Sequence, residues 1–178
     1  FQTGWVYVSS AQLNIEGDFN NVSGFDGNTT TSSYISMNGS TNQTVTGAGE
    51  FGNFDISCTG NVATTLVNAP APGITITQYL YLSRGRLDGT IDFNAAPPMK
   101  PTIVRNEGTI LTSATLTFTS AVNVFYIGNT GVERVAGPEL PGAPDKLWDL
   151  RVRTVNGSIP GRGIVSIDGA VSPTVTVN

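Results

Sequence analysis

YISMNGSTNQTVTGAGEFGNFDI, from Tyr34 to Ile56, is the stretch of the chain with the clearest strand and turn pattern. Residues 34–38 predict a short strand, and residues 39–47 a polar turn that leads into a second strand through Val45. Residues 51–56 predict a third strand, anchored by apolar side chains. Gly, Asn and Thr fill the connections, as is typical of turns between strands.

A looser copy of this pattern occurs about 90 residues later in the chain. Phe125–Gly131 corresponds to Tyr34–Ser40, and Leu147–Val152 corresponds to Phe51–Ile56. A repeat of this kind indicates architecture rather than chemistry, because stacked repeats bury one another's apolar faces.

Turn signals recur about every eight to twelve residues, a spacing that suits a sandwich, a barrel or a parallel solenoid. The repeat favours the solenoid, so we expect an all-β chain built as a parallel β-helix or solenoid-like stack. A pair of β-sandwich domains is the alternative. Residues 1–96 form the first predicted block and residues 102–178 the second. Residues 97–101 hold three prolines and predict a loop or junction.

The composition indicates an uncharged polar surface over an apolar interior. Charged residues make up 12% of the 178-residue chain, and the formal net charge is −4. Thr, Ser, Asn and Gly replace them, a balance typical of extracellular β-proteins. The negative charge argues against nucleic-acid binding, which needs a concentrated basic face. No stretch approaches the length of a membrane-spanning helix.

The arginines are scattered except for two pairs, Arg84/Arg86 and Arg151/Arg153. On a strand, residues two apart share one side, so each pair predicts a solvated surface or a contact to an anion or an acidic glycan. Residues 84–89 also carry the signals of a turn.

Histidine is absent and Cys58 is the only cysteine, which excludes an intrachain disulfide and a Cys/His zinc site. Cys58 follows a strand-like run and is predicted to be a buried structural thiol, with a disulfide to a second chain as the alternative. Asp18, Asp26 and Asp88 each adjoin a glycine, but no calcium-loop motif surrounds them. We therefore predict no metal site and no cofactor.

Two carboxylate pairs, Asp88/Asp92 and Asp145/Asp149, have the residue type that glycoside hydrolysis uses. Asp88-Gly89 is also an ordinary turn dipeptide. Asp145 and Asp149 flank apolar residues as a solvated strand edge does. We interpret both pairs as turn or surface residues and expect no enzymatic activity.

Exposed aromatic side chains bind sugars by stacking. Tyr79 and Tyr81 alternate with leucines and therefore share one side of a strand. If that side is exposed, the pair is a candidate face for a glycan or a partner; if covered, it belongs to the core or an interface. Trp148 is predicted to be core, and Trp5 to pack on a neighbouring subunit.

Four segments of the first half resemble the surface and adhesin-like repeats of large secreted proteins of Bacteroidetes-type bacteria. They are Leu13–Asn21, Tyr34–Gly47, Phe51–Ile56 and Leu80–Leu87. The second half fits more loosely, and Gln43 has no counterpart there. The resemblance implies a non-catalytic β-helical segment that is secreted and displayed at the cell surface.

The apolar ends of the chain predict self-association, since a solenoid without polar caps exposes unpaired backbone and apolar side chains. The expected function is a structural or adhesive subunit, or segment, of an extracellular filament, whose partners are further copies or tandem neighbours. A glycan-binding or polysaccharide-cleaving β-helix module is the alternative. The residues predicted at the assembly interface are Phe1, Trp5, Val6, Val8, Val175 and Val177.

Overall fold

The structure, a computed structural model, describes residues 12–20, 34–47, 49–128, 134–154 and 165–166. Within these ranges one short 3-10 turn, Pro144–Lys146 (η1), accompanies the strands. The strands are β1 (Gln12–Ile15), β2 (Phe19–Asn20), β3 (Tyr34–Met37), β4 (Gln43–Thr46), β5 (Gly49–Ser57), β6 (Leu66–Arg84), β7 (Arg86–Phe93), β8 (Thr102–Arg105), β9 (Thr109–Ile110), β10 (Thr115–Phe118), β11 (Val122–Gly128), β12 (Arg134–Val135), β13 (Leu147–Thr154) and β14 (Val165–Ser166).

The described strands pair in parallel and stack as coils with three faces. Face 1 contains β1, β3, the second half of β5, the end of β6, β8, β11 and β13. Face 2 contains β2, β4, the starts of β6 and β7, and β9. Face 3 contains the start of β5, the middle of β6, the end of β7 and β10. The predicted all-β parallel solenoid is confirmed, because β-sandwich domains would pair their strands antiparallel.

The interior is a continuous column of apolar side chains, supplied by alternate residues of each strand. In register on face 1 lie Leu13, Ile35, Phe54, Leu80, Ile103, Val124 and Leu150. Phe54 is fully buried and its ring lies 4.7 Å from that of Phe51. On face 3, Phe93 and Phe118 stack at 5.3 Å. Burying one such side chain stabilises the fold by about 1.5–3 kcal/mol.

Glycines occupy the first corner of the coils, directly after the strand of face 1. A Cβ on Gly39 would lie 2.4 Å from the backbone oxygen of Glu16, and one on Gly60 would lie 2.2 Å from that of Ser40. Gly85, at the same corner of a later coil, has a φ of +100°, which other residues rarely adopt. Successive corners therefore approach more closely than a side chain allows.

Gln43 joins the first two coils at this corner from inside the stack. Its Nε2 donates to the carbonyl oxygens of Ile15 at 2.8 Å and Gly17 at 2.6 Å. Its Oε1 accepts from the Gly39 amide at 2.9 Å. The side chain thus satisfies backbone hydrogen-bonding groups of its own coil and of the preceding coil.

An ion pair replaces apolar packing in one inward column of face 1. Arg105 is in register with Leu82 and Ile56 of the two preceding coils. Its guanidinium pairs with the carboxylate of Glu139, which is fully buried. The Tyr126 hydroxyl donates to the same carboxylate at 3.1 Å. Burial first, then the charge of Glu139, raises the pKa of Tyr126 far above its ordinary value.

The ion pair lies near the point where the chain departs from the regular coil of three faces. Face 1 continues from β8 through β11 to β13, whereas β12 pairs with β14 in a separate two-stranded sheet. Residues 136–146 instead contact the coil formed by β8, β9 and β10, with Leu140 buried in the core and Lys146 donating to the Thr119 carbonyl at 3.3 Å. The ion pair therefore attaches this segment to the interior of the solenoid.

The turn predicted over residues 84–89 is wrong in its extent. β6 runs to Arg84 and β7 starts at Arg86, so only Gly85 separates the two strands. A single glycine with positive φ turns the chain from face 1 to face 2. Arg84 and Arg86 consequently lie on two different faces, and the prediction that they share one side of a strand is wrong.

Candidate functional site

Outward-pointing aromatic side chains are concentrated on face 1. Tyr34, Tyr79, Tyr81 and Phe125 alternate with the inward residues of their strands and are partly exposed. The phenylalanines on the strands of faces 2 and 3 belong to the core or pack against it instead. We call the outer side of face 1 the aromatic face, defined by Tyr34, Tyr79, Tyr81, Phe125 and Trp148.

The tyrosines form a cluster across neighbouring coils. The rings of Tyr79 and Tyr81 stack with centroids 5.6 Å apart and an interplanar angle of 12°. Tyr34, two coils away, lies 6.4 Å from Tyr81 at an angle of 46°. The Tyr34 hydroxyl donates to Gln12 Oε1 at 2.8 Å. The predicted tyrosine pair is therefore part of a larger aromatic surface that is half-buried rather than a bare platform.

A carboxylate lies beneath this cluster. Asp55 is in register with Tyr81 on the adjacent strand, and only 7% of the residue is exposed. Burial raises its pKa above the ordinary value, while hydrogen bonds from Ser83 and Ser36 oppose the shift. The Ser36 hydroxyl lies 3.2 Å from Asp55 Oδ2. This end of the aromatic face consequently exposes little charge.

The other end of the aromatic face carries cations over its rings. The Lys100 ammonium lies 3.9 Å from the centroid of the Trp148 ring. The guanidinium carbon of Arg151 lies 5.0 Å from the centroid of the Phe125 ring. Arg151 also pairs with Asp149 through Nε at 2.6 Å. Attraction between a cation and an aromatic ring is worth about 0.5–1 kcal/mol at exposed positions.

The prediction that Trp148 is a core residue is wrong, because 68% of it is exposed. Val122 pairs with Leu147 and Asn123 with Asp149, so Trp148 is an extra residue at a β-bulge. A bulge breaks the alternation of sides and redirects a side chain. In the sequence LWDLRV nothing distinguishes a bulged tryptophan from a buried one.

The carboxylates considered for hydrolysis are engaged in separate places. Asp88 lies on face 2 and accepts from Ser113 at 2.9 Å, whereas Asp92 lies on face 3 and accepts from Thr119 at 2.9 Å. The corner at Gly89, with a φ of +105°, separates them. Each therefore links its strand to the next coil. Asp145 lies in η1 and is exposed.

Cys58 is a free thiol with no exposed surface, which confirms the predicted buried position. Burial raises its pKa, so the thiol is neutral and poorly nucleophilic. The described part of the chain contains no group of three or more His, Cys, Asp or Glu side chains placed to hold a metal ion.

The predicted interface residues Phe1, Trp5, Val6, Val8, Val175 and Val177 lie outside the described residues, as does Asp26. Among the residues that the structure does describe, no helix has the length and hydropathy needed to cross a bilayer. Comparisons of the chain with family models, with curated proteins and with solved structures give no match.

The sequence interpretation identified Tyr79 and Tyr81 but missed Tyr34, Phe125 and Asp55. For Tyr34 and Asp55 a signal existed, since each alternates with apolar neighbours that point inward. Phe125 lies within the run VNVFYI, where apolar residues on both sides hide the alternation. Its outward direction follows from the register with Arg151.

Proposed function

We propose that this chain is a non-catalytic structural and adhesive protein of the cell surface, and a subunit or segment of an extracellular filament. The likeness to Bacteroidetes-type surface repeats supports a secreted, surface-displayed location. The low charge content and the Thr/Asn-rich exterior agree with an extracellular β-protein.

One observation carries the proposal: face 1 is a continuous parallel ladder of seven strands, from β1 to β13. Each coil rests on the next, and the interior is closed by apolar side chains and one ion pair. A structure of this kind is rigid along the stack and extends by adding coils. Extension by further copies is the step that makes a filament.

We assign the joints between copies to two apolar segments, residues 1–8 and 174–178, on the basis of their residue types. Deleting Phe1–Val8, or Thr174–Asn178, is expected to convert assemblies into single chains in sedimentation velocity experiments. Thr117→Ala, an outward residue of face 3, serves as a control and is expected to assemble like the parent. Unchanged assembly after both deletions would show that the joints lie elsewhere.

Glycan binding is the second candidate function, favoured by the concentration of outward aromatic residues on one face. Affinity electrophoresis in polysaccharide gels tests it. If the tyrosine cluster binds the polysaccharide, replacing both Tyr79 and Tyr81 by alanine is expected to abolish the retardation seen with the parent. Equal retardation of the parent and the double variant would exclude these tyrosines as the binding surface.

A further inference from the structure

The C-terminal part of the aromatic face combines exposed rings with cations, and we propose that it binds an acidic polysaccharide whose sugars carry carboxylate or sulfate groups. The residues that define this site are Lys100, Phe125, Trp148 and Arg151. The inference rests on the adhesive function proposed above and names the ligand class of the aromatic face.

Trp148 supplies the stacking surface. Its position at the bulge leaves 68% of the residue exposed, so a sugar ring can lie against the indole. The ammonium of Lys100 covers one face of the indole, 3.9 Å from the ring centroid, so a sugar stacks on the opposite face and its anionic substituent reaches the ammonium around the ring edge. Neither ion pair of the described residues includes Lys100, which leaves its charge available to an anionic substituent.

Arg151 supplies a second anion contact. Its side chain is 68% exposed, and its pairing with Asp149 uses Nε. The two terminal nitrogens form no hydrogen bond to another described residue, and their planar arrangement suits a carboxylate or sulfate. Arg151 is in register with Phe125, and Trp148 lies at the bulge opposite the step from Val122 to Asn123, so the two are separated by about 7–10 Å at about 3.3 Å per residue. A patch of this length contacts more than one sugar ring.

The distribution of charge favours an acidic ligand over a neutral one. The formal charge of the chain is −4, yet on β13 the cations Arg151 and Arg153 outnumber the single carboxylate of Asp149. At the opposite end of the aromatic face, Asp55 is buried and the exposed groups are tyrosines. A neutral polymer would leave the charges of Lys100 and Arg151 without a counterpart.

The test is titration of the full chain with polygalacturonate, with dextran as a neutral polymer and polyglutamate as an anion that lacks sugar rings. Binding is followed by tryptophan fluorescence and by calorimetry. We expect polygalacturonate to bind, and dextran and polyglutamate to bind at least about tenfold more weakly. The affinity should fall as salt rises, because exposed charges are screened.

Two lysine variants provide a matched comparison. Lys100→Met removes the charge above Trp148 and is expected to weaken polygalacturonate binding about two- to fivefold. Lys146→Met makes the same chemical change at a lysine that donates to the Thr119 carbonyl, and it should bind like the parent. Trp148→Ala should weaken binding about tenfold, with Trp148→Phe in between. Circular dichroism confirms that each variant is folded.

Several outcomes would overturn the proposal. If dextran bound as tightly as polygalacturonate, the site would not select acidic sugars. If polyglutamate bound as tightly, charge alone would explain the interaction. Equal affinities of Lys100→Met and Lys146→Met would remove Lys100 from the site. Sedimentation of the same samples separates this inference from the filament: filaments without polygalacturonate binding refute the inference alone, and binding without filaments refutes the filament alone.

Discussion

The inner and outer sides of face 1 are built from the same strands, yet they follow different rules. Inward residues such as Phe54 and Leu80 are fully buried and stack coil upon coil. Outward residues are only partly covered. Tyr79 stacks on Tyr81, and Phe125 lies against the guanidinium of Arg151. The inner side stabilises the solenoid, and the outer side determines what its surface presents.

Face 3 shows that coils can stack without aromatic residues on their outer side. On face 3 the outward positions in register are Glu50, Thr75, Asp92 and Thr117. Their strands pair and pack as well as those of face 1, without an outward aromatic. Outward aromatic residues, as on face 1, are therefore not a general requirement for the stacking of coils.

The largest difference between the two sides is expected for one chemical change, phenylalanine to alanine. Phe54→Ala should destabilise the fold by about 3–5 kcal/mol, because it leaves a cavity in a fully buried site. Phe125→Ala, on the outer side, should cost about 1 kcal/mol or less, the value of an exposed cation–aromatic contact. Urea unfolding measures both, and similar losses would refute the distinction between the sides.

A polar group on the inner side is expected to behave unlike either kind of phenylalanine. Arg105→Met should destabilise by about 3 kcal/mol, because the fully buried Glu139 loses its partner. The double variant Arg105→Met/Glu139→Leu should recover most of that loss, since no charge stays buried. Thermal unfolding of the two variants decides the matter: a double variant no more stable than the single one would contradict this explanation.

The corners allow a matched test of close approach between coils. Gly89→Ala should destabilise by about 2 kcal/mol, because φ is +105° and the new Cβ would lie 2.0 Å from the Ala69 oxygen. Gly17→Ala meets no atom within 4 Å and should change stability by less than about 0.5 kcal/mol. Chemical denaturation compares them, and a neutral Gly89→Ala would mean that this corner tolerates a side chain.

The smallest effect concerns the carboxylate beneath the tyrosines and depends on pH. Burial raises the pKa of Asp55, so the folded chain holds a proton that the unfolded chain releases above its ordinary pKa of 3.8. Stability contributed by the protonated form is therefore lost as the pH rises from 3.8 through the raised pKa. Asp55→Asn should be more stable than the parent at pH 7, with a difference that shrinks at low pH. Measuring the melting temperature against pH tests this, and a variant that is less stable at pH 7 would refute it.

The sequence predicted the solenoid because its strongest signals are local. Alternation in runs such as Ile74–Leu82 and glycines at the turns specify strands and corners, and the similarity of distant segments indicates stacking. The offset of about 90 residues joins strands four coils apart, since Ile35 reaches Val124 through Phe54, Leu80 and Ile103.

The single coil was not visible in the sequence because its length varies. Ile35 and Phe54 in register are 19 residues apart, whereas Phe54 and Leu80 are 26 apart. Irregular connections hide a period, although the paired strands themselves are regular. The aromatic face was only partly predictable for a similar reason: Trp148 is exposed by a bulge, and a bulge depends on register rather than on composition.

Electron microscopy of the purified chain shows whether this solenoid assembles with further copies of itself, as proposed. We expect regular filaments in which coils of one copy continue those of the next. A field of discrete single particles, together with a single-chain mass in sedimentation, would contradict it.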